Sequence, residues 1–264
     1  MKKVENARRW LVDGTVVIAC VSCFHLVLWA APPDPPAGST YAPVEDLATQ
    51  LDHYAEALRK ALETPTEEYS ESKQKTVRKH ADAIAVLALV IGNHDQDHDL
   101  KAAAGSMVAT AAKLAQVAED HAAAVAEMKK LDAALGGKED AAASSSLEWR
   151  KVAQLENLMK QTQFLYSRLK RGVKGSKLEK QADKTAAYSA TLAAIAHATT
   201  WDTSPVDNEA DKQKWYDFCA QMREAAAQVN RAIHQKDQAA VAAGMKELKV
   251  SCDACHAVFE EEQL

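Results

Sequence analysis

Stripes of small and apolar residues recur along most of this chain at alternating spacings of three and four residues. This spacing is typical of one face of an α-helix that packs on its neighbours. Alanine is abundant, whereas the 264 residues include only 9 glycines and 7 prolines. Alanine loses no side-chain entropy in a helix, and glycine and proline interrupt one, so the composition also favours helix. The sequence therefore predicts an all-α fold. The first stripe consists of Leu47, Leu51, Tyr54, Leu58 and Ala61.

The stripes fall into two groups of four helices, separated by a segment of small and polar residues at 136–146. Such a segment is typical of a linker. The sequence predicts two tandem four-helix bundles, at residues 43–135 and 147–264, each of ordinary domain size. No clear breaker divides the third and fourth stripes of the first group. They form either one long helix or two helices that turn near Asp120.

Residues 1–31 have the pattern of a targeting segment: a basic start, then a mostly apolar run at residues 11–31. A proline-rich linker follows at residues 32–42. This order predicts a secretory signal peptide. The apolar run is longer than a usual signal core, so an uncleaved membrane anchor is the alternative. Both interpretations predict export. The basic start consists of Lys2, Lys3, Arg8 and Arg9.

Near the end of the chain, Cys252-Asp253-Ala254-Cys255-His256 forms a CxxCH motif. In this motif two thiols add to the two vinyl groups of a haem, and the adjacent imidazole ligates the iron. On a helix, positions i, i+3 and i+4 share one face, so these side chains would face the bundle core together. The sequence therefore predicts one covalent haem c, with its iron bound by His256.

Three alternatives to haem are less favoured by the sequence. A chance match is expected in roughly three of a thousand chains with this cysteine and histidine content. A zinc site needs four ligands, and Cys219 with scattered histidines offers no matching pair. A redox-active disulfide motif normally opens a helix after a strand, whereas this motif ends a helix. Export also favours haem, because bacterial c-type haem is attached outside the cytoplasm.

Residues 147–264 resemble the cytochrome c-prime family of bacterial periplasmic four-helix haem proteins, most strongly at 250–259. In that family the CxxCH motif lies near the end of the fourth helix, and an aromatic residue follows the histidine by three positions, as Phe259 does here. The Trp201 loop and Trp215 also resemble family positions. The family usually has a cation four residues after the histidine, whereas this chain has Glu260. The resemblance implies a periplasmic haem domain with Phe259 in the haem pocket.

The resemblance also implies that the first helix of the haem bundle faces the sixth coordination position of the iron. The family has there either a methionine that ligates iron or an apolar residue that blocks it. Met159 is the candidate ligand, although a methionine on an inward stripe is also typical of core packing. Leu155 is the candidate neighbour of a five-coordinate iron.

These residues favour a periplasmic single-electron carrier, since Met/His coordination suits electron transfer. The alternatives are a five-coordinate haem protein that binds nitric oxide or carbon monoxide, and a haem-stabilised interaction module. The sequence contains no recognisable combination of a nucleophile and a base, so it does not predict an enzyme. The net charge of −5, with both signs interspersed, does not indicate nucleic acid. The redox partner protein is not identified. Cys219 is predicted to be a buried thiol, and His94 and His98 to lie in a solvated loop rather than a metal site.

The first half shows a weak internal repeat of the second. Met128-Lys129-Lys130-Leu131, for example, resembles Met245-Lys246-Glu247-Leu248. On this alignment Leu135, Lys138 and Glu139 take the places of the haem-attachment residues. We therefore expect residues 43–135 to fold as a haem-free bundle that serves docking or homodimer formation.

Overall fold

The structure is a computed structural model that describes residues 31–138 and 145–259. The predicted signal or anchor therefore lies outside the described residues, apart from residue 31. Part of the predicted linker (139–144) and the C-terminal residues from Glu260 onward also lie outside them. Within the described ranges, no helix combines the length and the apolar character needed to cross a membrane.

The fold is all-helical, as predicted: the described ranges form nine α-helices joined by turns, and they contain no strand. The helices are α1 (Val44–Leu62), α2 (Glu71–Gly92), α3 (Ala104–Gln116), α4 (His121–Leu135), α5 (Leu155–Gly172), α6 (Lys177–Lys180), α7 (Ala182–Thr199), α8 (Lys212–His234) and α9 (Gln238–Phe259).

Two helix boundaries bear on the sequence predictions: the first decides between one helix and two, and the second adds a helix to the second half. The chain turns at Asp120, whose side chain accepts a hydrogen bond of 3.1 Å from the backbone N–H of Ala123. This bond caps the first turn of α4, so α3 and α4 are two helices. In the second half, the helix predicted from Leu178 onward is interrupted at Gln181, where φ is −128°. That backbone lies outside the helical region, so α6 and α7 are separate and this half has five helices.

Helices α2 and α7 are the two central elements of the fold. Residues 81–91 of α2 and residues 185–199 of α7 are continuously buried. A helix that is apolar on all sides must be covered on all sides. Accordingly α2 packs on α1, α3, α5 and α7, and α7 packs on α1, α2, α5 and α8.

The helices of the two predicted bundles share one continuous apolar core. Polar contacts also cross between them. In the buried interior, the amide nitrogen of Gln161 donates to the hydroxyl oxygen of Tyr54 at 2.6 Å. Asp46 on α1 accepts a bond of 2.7 Å from Asn230 and pairs with His234 at 2.8 Å, both on α8. The first half is therefore part of the packing that supports the second.

We expect the chain to unfold in a single cooperative transition, because one core joins both halves. Tyr54→Phe should lower the free energy of unfolding by about 1–3 kcal/mol, because the buried amide of Gln161 loses its acceptor. Denaturant titration followed by circular dichroism measures this change. Tyr69→Phe is the matched control, since the Tyr69 hydroxyl donates to the carbonyl of Ala118 within the first half. Two separate transitions, with Tyr54→Phe shifting only one, would contradict a shared core.

Candidate haem-attachment site

Helix α9 carries the CxxCH motif and is held against α8 by a close helix contact. A Cβ atom added at Gly244 would lie 2.8 Å from Cγ2 of Val229, so only glycine allows this approach. One turn later Leu248 is buried, and the hydroxyl of Ser251 donates to the carbonyl of Leu248 at 2.9 Å. These contacts fix the rotation of α9 immediately before the motif.

The motif side chains lie at the edge of the core. Cys252 and Cys255 are half-buried, and His256 is exposed. Burial raises the pKa of the Cys252 thiol, and the hydrogen bond with Ser251 opposes that rise. None of the three cysteines in the described ranges forms a disulfide. Nor do three or more histidine, cysteine or acidic side chains converge there into a metal cluster.

Cys255 belongs to a second apolar group, separate from the main core, which we call the aromatic cluster. The ring centroids of Trp215 and Phe259 lie 5.3 Å apart in an edge-to-face arrangement. The indole N–H of Trp215 donates to the carbonyl of Thr199 at 3.1 Å, which anchors the cluster to α7. The sequence-predicted pocket residue Phe259 is therefore buried beside an attachment cysteine. The aromatic cluster consists of Trp215, Tyr216, Cys219 and Phe259, with Leu155, Val206, Phe218 and Cys255 packed against them.

Leu155 and Met159, the two residues of α5 predicted to face the sixth coordination position of the iron, have different surroundings. Leu155, the first residue of α5, packs in the aromatic cluster with Cys255. Met159, one turn later, is half-buried and packs against the main core. The hydroxyl oxygen of Thr162, on the same face of α5, is buried and has no hydrogen-bond partner in the described residues. The structure thus groups Leu155, rather than Met159, with Cys255 of the motif.

A groove of about 460 Å³ separates α5 from α9 and ends at Asp253, inside the motif. Met245, Lys249, Cys252 and His256 follow at spacings of four, three and four residues, so the motif and the groove share a face of α9. The motif by itself does not predict this groove. The many basic residues near the end of α5 are the sequence feature that indicates its charged edge. Its lining includes Tyr166, Val173, Val241, Met245 and Val250, with Lys170, Lys174, Lys246 and Lys249 at the edges.

These residues fit a covalently attached haem. Two half-buried thiols and an exposed imidazole share one helix face. Apolar side chains pack beside the motif. Leu155, Met159 and Thr162 share one face of α5, and Leu155 on that face packs in the same cluster as Cys255. The donor set is the one that c-type attachment requires.

Two other sequence predictions have clear outcomes. Cys219 is buried, as predicted, and burial raises the pKa of its thiol to about 11. The prediction of a solvated loop for His94 is wrong. Its ring is buried, with Nε2 2.8 Å from the carbonyl oxygen of Ala42 and Nδ1 accepting from the backbone N–H of Gln96 at 3.0 Å. His98 accepts from the backbone N–H of Leu100 and caps a short turn.

The start of α5, and therefore Leu155, is tied to the first half through Asp82. This buried carboxylate on α2 accepts a bond of 2.7 Å from the side-chain amide of Asn157. Burial raises the pKa of Asp82 to about 6, while hydrogen bonds from Asn157 and the backbone of Gln154 oppose that rise. Asp82 thus holds the start of α5 through the backbone of Gln154 and the side chain of Asn157, although Gln154, the N-cap residue, makes no capping side-chain hydrogen bond.

Comparison with protein families, with curated proteins and with solved structures found no match to this chain.

We expect Asp82 to make folding stability depend on pH. Its pKa in the folded state, about 6, lies above the ordinary value near 4, so the folded state binds this proton more tightly. The stabilisation is full below pH ~4 and is lost as pH rises through ~6, an effect on the order of 2–3 kcal/mol. Asp82→Asn should remove that slope in urea titrations between pH 4 and 7. Asp52→Asn, which changes an exposed carboxylate on α1, serves as control, and an Asp82→Asn protein with the wild-type slope would refute this assignment.

Proposed function

We propose that this protein is a periplasmic monohaem c-type cytochrome that carries single electrons. Cys252 and Cys255 form the thioethers, and His256 is the axial iron ligand. The observation that carries this proposal is the CxxCH motif on one face of α9, with Cys255 packed in the aromatic cluster. When bound, the haem supplies the one-electron chemistry.

The protein's own side chains provide attachment, orientation and an apolar environment. The packing of α9 on α8 fixes the direction in which the two sulfur atoms point. Trp215 and Phe259 keep water from the Cys255 side of the site, because both are buried. A low-polarity environment of this kind is one of the means by which proteins set a reduction potential. No group in the site is placed as nucleophile and base, so we propose no enzymatic reaction.

The second candidate function is the binding of nitric oxide or carbon monoxide at a five-coordinate iron. A specific observation favours it: Leu155 lies in the same cluster as Cys255, whereas Met159 packs against the main core. A leucine at the sixth position cannot ligate iron and leaves that position to a small ligand. Met159 remains our candidate ligand for the electron carrier, because it is only half-buried and follows Leu155 by one turn.

For the first half we propose a role as a built-in partner of the haem half. Suppose that α1 corresponds to α5 and α2 to α7. Swapping the two halves then turns the α1–α7 contact into the α5–α2 contact, and leaves the α2–α7 contact unchanged. This reciprocity is what a two-fold interface between copies would show. The first half then occupies the face through which a homodimer would form. On this proposal the haem half needs no second chain.

Haem attachment is testable by mass. With cytochrome maturation factors coexpressed, the purified wild-type protein should carry the added mass of one haem. Cys252→Ser or Cys255→Ala should weaken attachment, and the double variant should abolish it. Cys219→Ala, which changes the buried thiol outside the motif, should leave the adduct intact. A wild-type protein without the adduct would overturn the proposed function.

Met159→Ala distinguishes the two functions. If Met159 ligates iron, the wild-type spectrum is low-spin, and the variant should become high-spin, bind carbon monoxide and show a lower reduction potential. Met245→Ala, a groove methionine on α9, is the control and should leave the spin state unchanged. A wild-type protein that is already high-spin and binds carbon monoxide would favour the gas-binding function instead.

A further inference from the structure

We infer that the groove between α5 and α9, with the basic surface at the end of α5, is the docking site for an acidic redox partner protein. The inference rests on the proposed function and names the chemistry of the partner. It is carried by charge segregation, by the apolar floor of the groove, and by the position of the groove beside the motif.

The charge of this region is opposite to that of the whole chain. Residues 168–184 contain seven basic and two acidic residues, although the net charge of the protein is −5. All seven basic side chains lie on exposed residues at the end of α5, in α6 and at the start of α7. Such segregation creates a local positive field that attracts an acidic surface from solution. The basic residues are Arg168, Lys170, Arg171, Lys174, Lys177, Lys180 and Lys184.

The groove continues this basic surface toward the motif. Lys170 of α5 and Lys174, two residues beyond its end, line one side of it, and Lys246 and Lys249 of α9 line the other. Lys249 pairs with Asp253, but their side chains are 60% and 63% exposed, so a partner can displace this pair at little cost.

Between the lysines the groove is apolar. Val173 and Val241 form part of its floor, and Val250 beside them is 52% exposed. An apolar centre within a charged rim is the usual composition of a protein–protein interface. A partner seated there would lie next to the attachment cysteines, where an electron must enter or leave. This position favours a protein partner over a small anion, which would need only the charges.

The first experiment measures electron transfer in the haem-loaded protein with two inorganic probes of opposite charge, hexacyanoferrate(III) and tris(phenanthroline)cobalt(III). Lys170→Glu/Lys174→Glu should slow oxidation by the anionic probe by about tenfold at low ionic strength and speed it with the cationic probe. Added salt should reduce both effects. The matched control is Lys113→Glu/Lys129→Glu on α3 and α4, which makes the same change in net charge. Equal effects of the two double variants would overturn a localised basic site.

The second experiment measures binding of a decaglutamate peptide by calorimetry, and maps the site by NMR. Binding should perturb residues lining the groove, and Lys170→Glu/Lys174→Glu should weaken it by about tenfold while the control retains it. Stronger binding to vesicles of phosphatidylglycerol than to the peptide would overturn the proposal in favour of a membrane surface. Self-association that the lysine variant abolishes would identify a second copy as the occupant. Peptide binding only after removal of residues 260–264 would identify the chain's own acidic end.

These outcomes are separable from failure of the proposed function. A protein without the haem adduct fails the mass test, and the peptide experiment then reports on the groove alone. A protein with the adduct, but with no salt dependence and no peptide binding, keeps the proposed function and loses this inference.

Discussion

The burial of α2 and α7 on all sides is the constraint on which the rest of the structure depends. Each has a long stretch without a polar face, and a helix of this kind is stable only when other helices surround it. Each therefore draws helices from both halves around it, and a single core results. This core explains why polar pairs such as Tyr54 with Gln161 and Asp46 with Asn230 lie between the halves.

The surroundings of the CxxCH motif are set by this core, although the motif lies at its periphery. Helix α5 packs on both α2 and α7, and Asp82 of α2 holds its first turn. That turn places Leu155 in the aromatic cluster with Cys255. Helix α9 is connected to the core through α8 and leaves a groove on its other side. The first half thus influences the surroundings of the motif through the position of one helix.

The site combines a rigid side and an open side. On the side that faces α8, movement of α9 is restricted by the aromatic rings, by the Trp215 hydrogen bond and by the close helix contact at Gly244. Toward α5, lysines and apolar side chains border a groove open to solvent.

The sequence by itself determined the helical elements and the spacing of the motif side chains along α9. Three-and-four stripes predicted the helices, and the CxxCH spacing predicted which three side chains share a face, because both depend only on helical periodicity. The predicted burial of Cys219 on the inward stripe of its helix is confirmed for the same reason. Tertiary structure alone decided what the helices pack against. The continuous burial of α2 and α7 was visible as alanine-rich sequence, but sequence periodicity does not specify the neighbour that covers a helix. For that reason the predicted division into two bundles missed the shared core, and His94, expected in solvent, is buried against Ala42. Leu155 rather than Met159 groups with Cys255 because the rotation and height of α5 are set by contacts from α2 and α7, distant in sequence, which no local pattern encodes.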